Sequence, residues 1–191
     1  MQSTGVDLSL FLRDLDLRSR DYDAPEQVQE LLEETLPQGL DLPDRYLKTD
    51  RNGYARHLLA KFGSGTTAIV MVWGKGQGTP LHDHAGIWCV EGVVTGRIAV
   101  ERYDMLEDLG DQCRFEKVEE LHTRVGDAGA LIPPVEHHTL ANDRDEPSIT
   151  LHVYGGEMDS CTIFLPEDDE GLYRRQRKSL TYTTADPVWV S

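Results

Sequence analysis

The sequence predicts an all-β protein, a jelly-roll β-barrel with N-terminal helices packed outside it. Beyond residue 50 the chain consists of short runs rich in Val, Ile, Leu and Tyr, and Gly, Asp and Pro separate these runs. Many short strands at regular spacing are typical of a sandwich or a barrel. The predicted strands cover residues 54–62, 67–73, 88–94, 97–103, 113–125, 128–132, 148–154 and 161–165.

The first fifty residues have a helical pattern. Apolar residues recur at helical spacing in the first stretch, at Leu8, Phe11, Leu12 and Leu15. Asp23, Pro25 and Glu26 form the pattern of a capped helix start, and Pro37 ends the helix that follows. A short helical turn is expected within residues 40–47. We interpret residues 1–50 as a helical cap on a barrel of residues 51–191, within a single domain 1–191; a helical arm that binds a partner is the alternative.

The charge balance excludes two classes of partner. The chain has 34 acidic and 19 basic residues and a formal net charge of -15. We therefore expect no binding to nucleic acid and none to an anionic membrane. The basic run at residues 174–178 is interpreted as a solvated edge or as an ion-pairing partner for the acidic run at 167–170.

The cysteine content favours a reducing compartment. Cys89, Cys113 and Cys161 are odd in number and widely spaced, unlike a disulfide framework. The N-terminus lacks the basic start and the long apolar core of a signal peptide. These features predict a cytoplasmic protein, and we expect a monomer.

Two separate stretches offer histidines with the spacing of a metal site. In an extended chain His82 and His84 point to one side and Asp83 points to the other. Neutral imidazoles suit iron, copper, zinc or nickel. Alone, such a pair is equally compatible with two surface or hydrogen-bonded histidines. His138, after a second predicted strand, offers a third ligand, whereas the adjacent His137 is expected on the opposite face.

The two stretches resemble the paired motifs of the cupin superfamily. The matching positions are Gly76, His82, His84, Gly96, Pro133, His138 and Asn142. Most cupins place a glutamate, as a fourth ligand, four residues beyond the second histidine. This chain has Cys89 at that position.

With a cysteine at position 89, the chain resembles one branch of the superfamily, the thiol dioxygenases of the cysteine dioxygenase type. The resemblance covers roughly residues 46 to 165, through the segments 54–56, 72–74, 82–84, 150–154 and the positions Cys89, His138 and Cys161. It implies a cupin-type fold and an Fe(II) ion bound by His82, His84 and His138. It also implies that a small thiol and dioxygen are converted to a sulfinic acid that takes both oxygen atoms from dioxygen.

The resemblance assigns further residues to the site. Arg56 is the residue that grips the substrate carboxylate, a task that suits the planar guanidinium fork. Tyr154 is aimed at the metal and is positioned by His152, whose tautomer a hydroxyl can fix. The other members of the expected substrate site are Tyr54, Trp73, Thr150 and Cys161. His57 and His122 are interpreted as ordinary surface or strand histidines.

Four functions remain open on the sequence. The first is oxidation of L-cysteine to cysteine sulfinic acid in cysteine catabolism, and the second is the same chemistry on 3-mercaptopropionate or another thiol carboxylate. Relatives of the second type carry glutamine at the position of Arg56, which favours cysteine. The third is a non-catalytic metal-binding cupin, a sensor or storage protein, which does not require Arg56, His152 and Tyr154. The fourth, a nickel or zinc isomerase, is disfavoured by the missing glutamate.

The resemblance also raises the question of a covalent crosslink. Animal cysteine dioxygenases join a cysteine at the position of Cys89 to the tyrosine at the position of Tyr154 by a thioether. This chain has both residues. Trp88 and the Gly155-Gly156 pair, which replaces Ser-Pro, are the features that could hold them apart.

Overall fold

The computed structural model describes residues 5–188. Helices α1 (Leu8–Arg18) and α2 (Ala24–Thr35) come first, and short 3₁₀ turns follow at Leu36–Gln38 and Asp44–Tyr46. Asp7 caps α1, because its side chain accepts a hydrogen bond from the Leu10 amide. Asp23 is the N-cap residue of α2, as the sequence predicts, but its side chain makes no capping hydrogen bond. Asp23 lacks the extended backbone of a capping residue, and its carboxylate accepts from the Gln27 side chain instead.

Eleven strands follow within the described residues, and they include all eight that the sequence predicts. They are β1 (Ala55–Lys61), β2 (Thr67–Trp73), β3 (Leu81–His82), β4 (Cys89–Thr95), β5 (Arg97–Asp108), β6 (Gln112–Arg124), β7 (Ala128–Leu131), β8 (His138–Ala141), β9 (Ser148–Tyr154), β10 (Ser160–Pro166) and β11 (Leu172–Ser179). The sequence did not predict β3, β8 and β11. The first two are very short, and β11 is largely polar.

The strands form two antiparallel sheets. One sheet has five strands in the order β1-β2-β9-β4-β7, and the other six strands close on themselves in the order β10-β11-β6-β5-β8-β3. Non-consecutive neighbours such as β2 and β9, or β3 and β10, show that the chain crosses between layers. The predicted all-β class, a cupin-type β-barrel with helices outside, is confirmed.

The five-stranded sheet is covered on both faces. Its outer face packs on apolar side chains of both helices, and its inner face packs on the second sheet. In β2, Val70 and Val72 face the helices, whereas Ile69 and Met71 face inward. Gly92 in β4 permits the close approach of the helical segment, since a Cβ atom there would lie 2.6 Å from Leu36 Cδ1. The helices therefore form the outer layer that the sequence indicates; the domain boundary at residue 50 stays a prediction.

A C-terminal segment, residues 181–188, runs along the free side of β1. Thr183 N donates to Arg56 O at 2.7 Å, Leu58 N donates to Thr184 O at 2.9 Å, and the pairing of His57 with Thr184 is parallel. His57 is not a surface histidine. It is buried, and its ring nitrogens lie 2.8 Å from Lys48 O and 3.0 Å from Thr184 Oγ1.

The basic run lies in β11 and takes part in ion pairs. Arg174 Nε lies 3.5 Å from a carboxylate oxygen of Glu167, as the sequence predicts, and Arg175 pairs with Asp108 at 2.9 Å. His122 is a half-exposed residue of β6. No helix within residues 5–188 has the length and apolarity needed to cross a bilayer.

Candidate metal centre and substrate pocket

Three histidines meet at one end of the barrel. His82 in β3 pairs directly with His138 in β8, and His84 follows in the turn after β3. One ring nitrogen from each lies within 4.8 Å of the other two. The strand ends at His82, earlier than the sequence motif suggests. Asp83 points away from the histidines, and its carboxylate accepts from Thr162 N at 2.8 Å.

The outer nitrogen of each ring has an oxygen neighbour. His82 Nδ1 lies 3.1 Å from Pro80 O, His84 Nδ1 lies 3.2 Å from Glu136 Oε2, and His138 Nδ1 lies 3.2 Å from Glu91 Oε1. The Nε2 atoms are thereby left as ligand atoms, and His138 Nε2 is buried without a hydrogen-bond partner. Burial lowers the pKa of His82 to about 3 and that of His138 well below its ordinary value. Neutral imidazoles that converge in this way fit a transition-metal ion.

Sequence reasoning missed two buried carboxyl groups beside these rings. Glu136 accepts from the His84 backbone N–H at 2.8 Å in addition to its ring contact. Glu91 lies between two rings, with Oε2 3.4 Å from His152 Nδ1, and burial raises its pKa to about 8. The alternation of β4 was the available signal for Glu91, because it shares the inward face with Cys89. Carboxylates in such positions orient ligand rings and strengthen metal binding.

Successive side-chain contacts connect the buried Trp73 with Tyr154. Trp73 Nε1 donates to Thr150 Oγ1 at 2.9 Å, and Thr150 Oγ1 lies 2.8 Å from His152 Nε2. His152 Nδ1 lies 3.5 Å from the Tyr154 hydroxyl. Burial raises the pKa of Tyr154 well above its ordinary value, so the phenol keeps its proton. The predicted common face of Thr150, His152 and Tyr154 is present.

A narrow pocket connects Tyr154 and His82 with Arg56. Its wall also includes Tyr54, Met158, Cys161 and Lys178. Trp73 and Thr150 do not line this pocket, and their expected contact with substrate stays a prediction. Both are buried behind the wall, where the Trp73 ring packs 4.8 Å from that of Tyr54 and Thr150 contacts His152.

Arg56 is held by weak contacts that leave it available to a ligand. Its guanidinium donates to Thr181 O at 3.4 Å and to Met158 O at 3.3 Å, and it lies over the Tyr182 ring. These hydrogen bonds are long, and no carboxylate is paired with Arg56 among the described residues. Lys178, which sequence reasoning did not select, adds a second cation to the wall and lies 5.6 Å from the Tyr54 ring centre.

Of the remaining three residues, only Cys161 lines the pocket. His137 is excluded from the histidine group, since its ring packs between Phe115 and Phe164. Cys161 lines the pocket, and burial raises the pKa of its thiol to about 11. Cys89 is fully buried beside Tyr154 and does not line the pocket.

The barrel, the three converging histidines and the adjacent tyrosine define the class of a metal-binding cupin. Within that class the chain belongs to the family "Cysteine dioxygenase type I", whose model matches residues 1–166. It is 26% identical over 160 residues to cysteine dioxygenase type 1 of Rattus norvegicus. The matched region covers 82% of this chain and 76% of the rat protein. The Danio rerio protein of the same name is 26% identical over 145 residues, and the matched region covers 73% of this chain and 69% of the Danio rerio protein.

Solved structures with a similar fold are more distant in sequence. A Klebsiella pneumoniae protein described as an uncharacterized conserved protein with a double-stranded beta-helix domain is 16% identical, with a TM-score of 0.47 over 70% of this chain and 93% of that chain. A Thermus thermophilus protein is 19% identical, with a TM-score of 0.46 over 60% and 95%.

Proposed function

We propose that the protein is an Fe(II)-dependent cysteine dioxygenase that converts L-cysteine and dioxygen to cysteine sulfinic acid. The observation that carries the proposal is one pocket in which Arg56, Tyr154 and His82 share a wall. Membership of the family supports dioxygenase chemistry. The reaction is balanced, since the thiol gains both atoms of one dioxygen molecule and loses none of its own.

In this proposal His82, His84 and His138 hold the metal. A bound Fe(II) supplies the redox chemistry that allows dioxygen to react with a thiol. Three neutral ligands leave the ion's charge uncompensated within the ligand set, which favours an anionic thiolate at the site. Glu136 and Glu91 keep the ligand rings in position.

Arg56 binds the substrate carboxylate and fixes the distance from that group to the thiol. The guanidinium is buried, and a charge-assisted pair with a carboxylate is strong under those conditions. Tyr154 presents a protonated hydroxyl, steadied by His152, at the pocket wall. The chain Trp73-Thr150-His152-Tyr154 supports catalysis over a metal-storage role, because binding alone needs no such chain.

The second candidate is dioxygenation of 3-mercaptopropionate. It is favoured by one observation: among the described residues that line the pocket, none is acidic. The amine of cysteine therefore has hydroxyl and imidazole groups near it but no carboxylate partner, and 3-mercaptopropionate has no amine to satisfy. Arg56 suits the carboxylate of either molecule.

The cellular setting is also proposed. Cys89, Cys113 and Cys161 are all buried free thiols. Their reduced state supports the cytoplasm as the site of action.

The test is oxygen uptake by the purified protein, with its metal content measured in the same preparation. L-cysteine, 3-mercaptopropionate and cysteamine are supplied separately, and the products are identified by mass spectrometry after reaction with isotopically heavy dioxygen. We expect iron as the metal and a sulfinic acid with two heavy oxygen atoms. A preparation loaded with iron that consumes no oxygen with any of the three thiols would contradict the proposal.

A further inference from the structure

A second cavity lies next to the histidines, on the side of β4 and β7. Its volume is about 200 Å³, and β4, β5, β6, β7 and β8 all contribute to its wall. Exposed residues at its mouth include Arg102, Leu121 and Asp127. The cavity is therefore an inlet from the surface into the barrel, separate from the pocket that contains Arg56.

The wall of this cavity is mainly apolar. The apolar side chains are those of Val93, Ile98, Val100, Ala128, Ala130 and Leu131, together with Leu140. Apolar cavities can bind small apolar species such as xenon. The polar lining residues are Glu91, Arg102, Thr123, Asp127, His138 and Thr150, and the apolar remainder of the wall is the part that suits such a species.

The inner end of the cavity reaches the site. His138 and Glu91 line it there. Leu140 lines both this cavity and the Arg56 pocket. Leu140 is therefore part of the wall between the two spaces.

We propose that this cavity is a dioxygen-binding inlet that supplies the site separately from the thiol. The proposal rests on the proposed dioxygenase function. Dioxygen is small, neutral and apolar, and the cavity offers it an apolar path that ends beside His138.

The same chemistry excludes the thiol from this route. A thiol carboxylate is charged, and its transfer into an apolar cavity without a partner is strongly unfavourable. Arg102 at the mouth is already paired with Glu119 at 2.9 Å, whereas the Arg56 pocket contains a cation with no carboxylate partner among the described residues. The two substrates therefore reach the histidines from different sides.

Cavity-filling variants test the inlet. Val100→Phe and Ala130→Phe each place a larger side chain in the cavity, and Val118→Phe on the exposed part of β6 is the matched control. We expect each filling variant to raise the KM for dioxygen roughly three- to tenfold while the KM for the thiol stays unchanged. The control should leave both values unchanged. If the filling variants showed equal rises in both KM values, or no rise in the KM for dioxygen, the proposed inlet would be contradicted.

Xenon gives a reading that does not depend on activity. Crystals of the wild-type protein under xenon pressure should show xenon between Val100 and Ala130, and crystals of the Val100→Phe variant should not. A cavity without xenon would overturn the proposal even if the kinetic variants were too unstable to assay. If the wild type consumed no oxygen with any thiol, both the proposed function and the inlet would be contradicted. If the wild type consumed oxygen and the filling variants had an unchanged KM for dioxygen, only the inlet would be contradicted.

Discussion

Cys89 and Tyr154 lie directly opposite each other on the neighbouring antiparallel strands β4 and β9. Both side chains are buried. Trp88 does not separate them. Its indole packs on Gly155, where a Cβ atom would lie 2.3 Å from Trp88 Nε1, and Gly155 N donates to Trp88 O at 3.0 Å. The glycine therefore lets the tryptophan pack without disturbing the Cys89–Tyr154 pairing.

We expect a thioether between Cys89 and Tyr154 to form during turnover. Opposed residues on adjacent strands lie close enough for their side chains to react. A bond forms between Sγ and the tyrosine ring, and two hydrogen atoms are removed, with dioxygen as the oxidant. Mass spectrometry should show linked peptides that are lighter by two hydrogens in the wild type and absent in Cys89→Gly. Only unlinked peptides after prolonged turnover would exclude the crosslink but not the dioxygenase activity.

The adjacent histidines give a matched pair of variants. His138→Ala removes one of the three converging nitrogens, whereas His137→Ala removes a ring that packs on Phe115 and Phe164. The first variant should lose bound metal and oxygen uptake. The second should keep its metal and lose thermal stability, because it leaves a cavity between aromatic rings. Metal-to-protein ratios measured after desalting check this assignment, which would be reversed if His137→Ala were the variant that lost metal.

Glu136 provides a test of the contacts behind the metal ligands. Glu136→Gln removes the charge near His84, and Glu136→Ala removes both hydrogen bonds to that residue. We expect metal affinity to fall by about tenfold in the first variant and by about a hundredfold in the second. Competition between the apo-protein and a chelator measures the affinity. Glu119→Gln, which changes an exposed ion pair, is the control, and equal affinities in all three variants would contradict this role.

Arg56 is expected to select for a substrate carboxylate. Arg56→Ala should cost about 2 to 3 kcal/mol of substrate binding, which corresponds to roughly a 30- to 150-fold rise in the KM for cysteine. Cysteamine lacks the carboxylate and should be a poor substrate of the wild type. Steady-state oxygen uptake on both thiols measures the difference. Equal turnover of cysteamine and cysteine by the wild type would contradict this role for Arg56.

Cys161 should react slowly with alkylating reagents at neutral pH. Burial raises its pKa to about 11 from an ordinary 9.0, so the reactive thiolate is about a hundredfold scarcer than in an exposed cysteine. Because the shift favours the protonated form, labelling should accelerate about tenfold per pH unit from roughly pH 7 to pH 9. Peptide mapping after timed alkylation gives the rate, with Cys161→Ser to identify the peptide. Rapid labelling at pH 7 in the folded protein would show that the thiol is not protected.

The three converging histidines were predictable from the sequence because their spacing is itself the signal. His82, His84 and His138 stand in two motifs whose strand and turn context can be read locally. Glu136 could not be selected in the same way, and for Glu91 the alternation of β4 indicates an inward-facing residue but not its contacts with the histidines. The chain has 34 acidic residues, and only tertiary packing distinguishes a buried carboxyl group from the exposed ones.

The strands also differ in how well the sequence predicts them. β2 has a nearly continuous apolar sequence and β9 alternates polar with apolar residues, and the predicted limits of both agree with the structure. β3 has two residues, and its pairing with β8 and β10 depends on partners far away in the sequence. β11 contains six basic or polar residues in succession, and its strand is stabilised by β10 and by ion pairs rather than by an apolar pattern. The positions of Trp73 and Thr150 outside the Arg56 pocket follow from packing alone.

The C-terminal segment that runs beside β1 protects the protein from self-association. A bare edge strand presents unpaired amide and carbonyl groups that can recruit the same strand of another molecule. Here Thr183, Thr184 and Val188 occupy those groups on Arg56, Leu58 and Leu59. Because Arg56 also lines the pocket, the residues that cover this edge also fix the backbone of the residue proposed to bind the substrate carboxylate. Edge coverage and the placement of Arg56 are thus linked through one short stretch of chain.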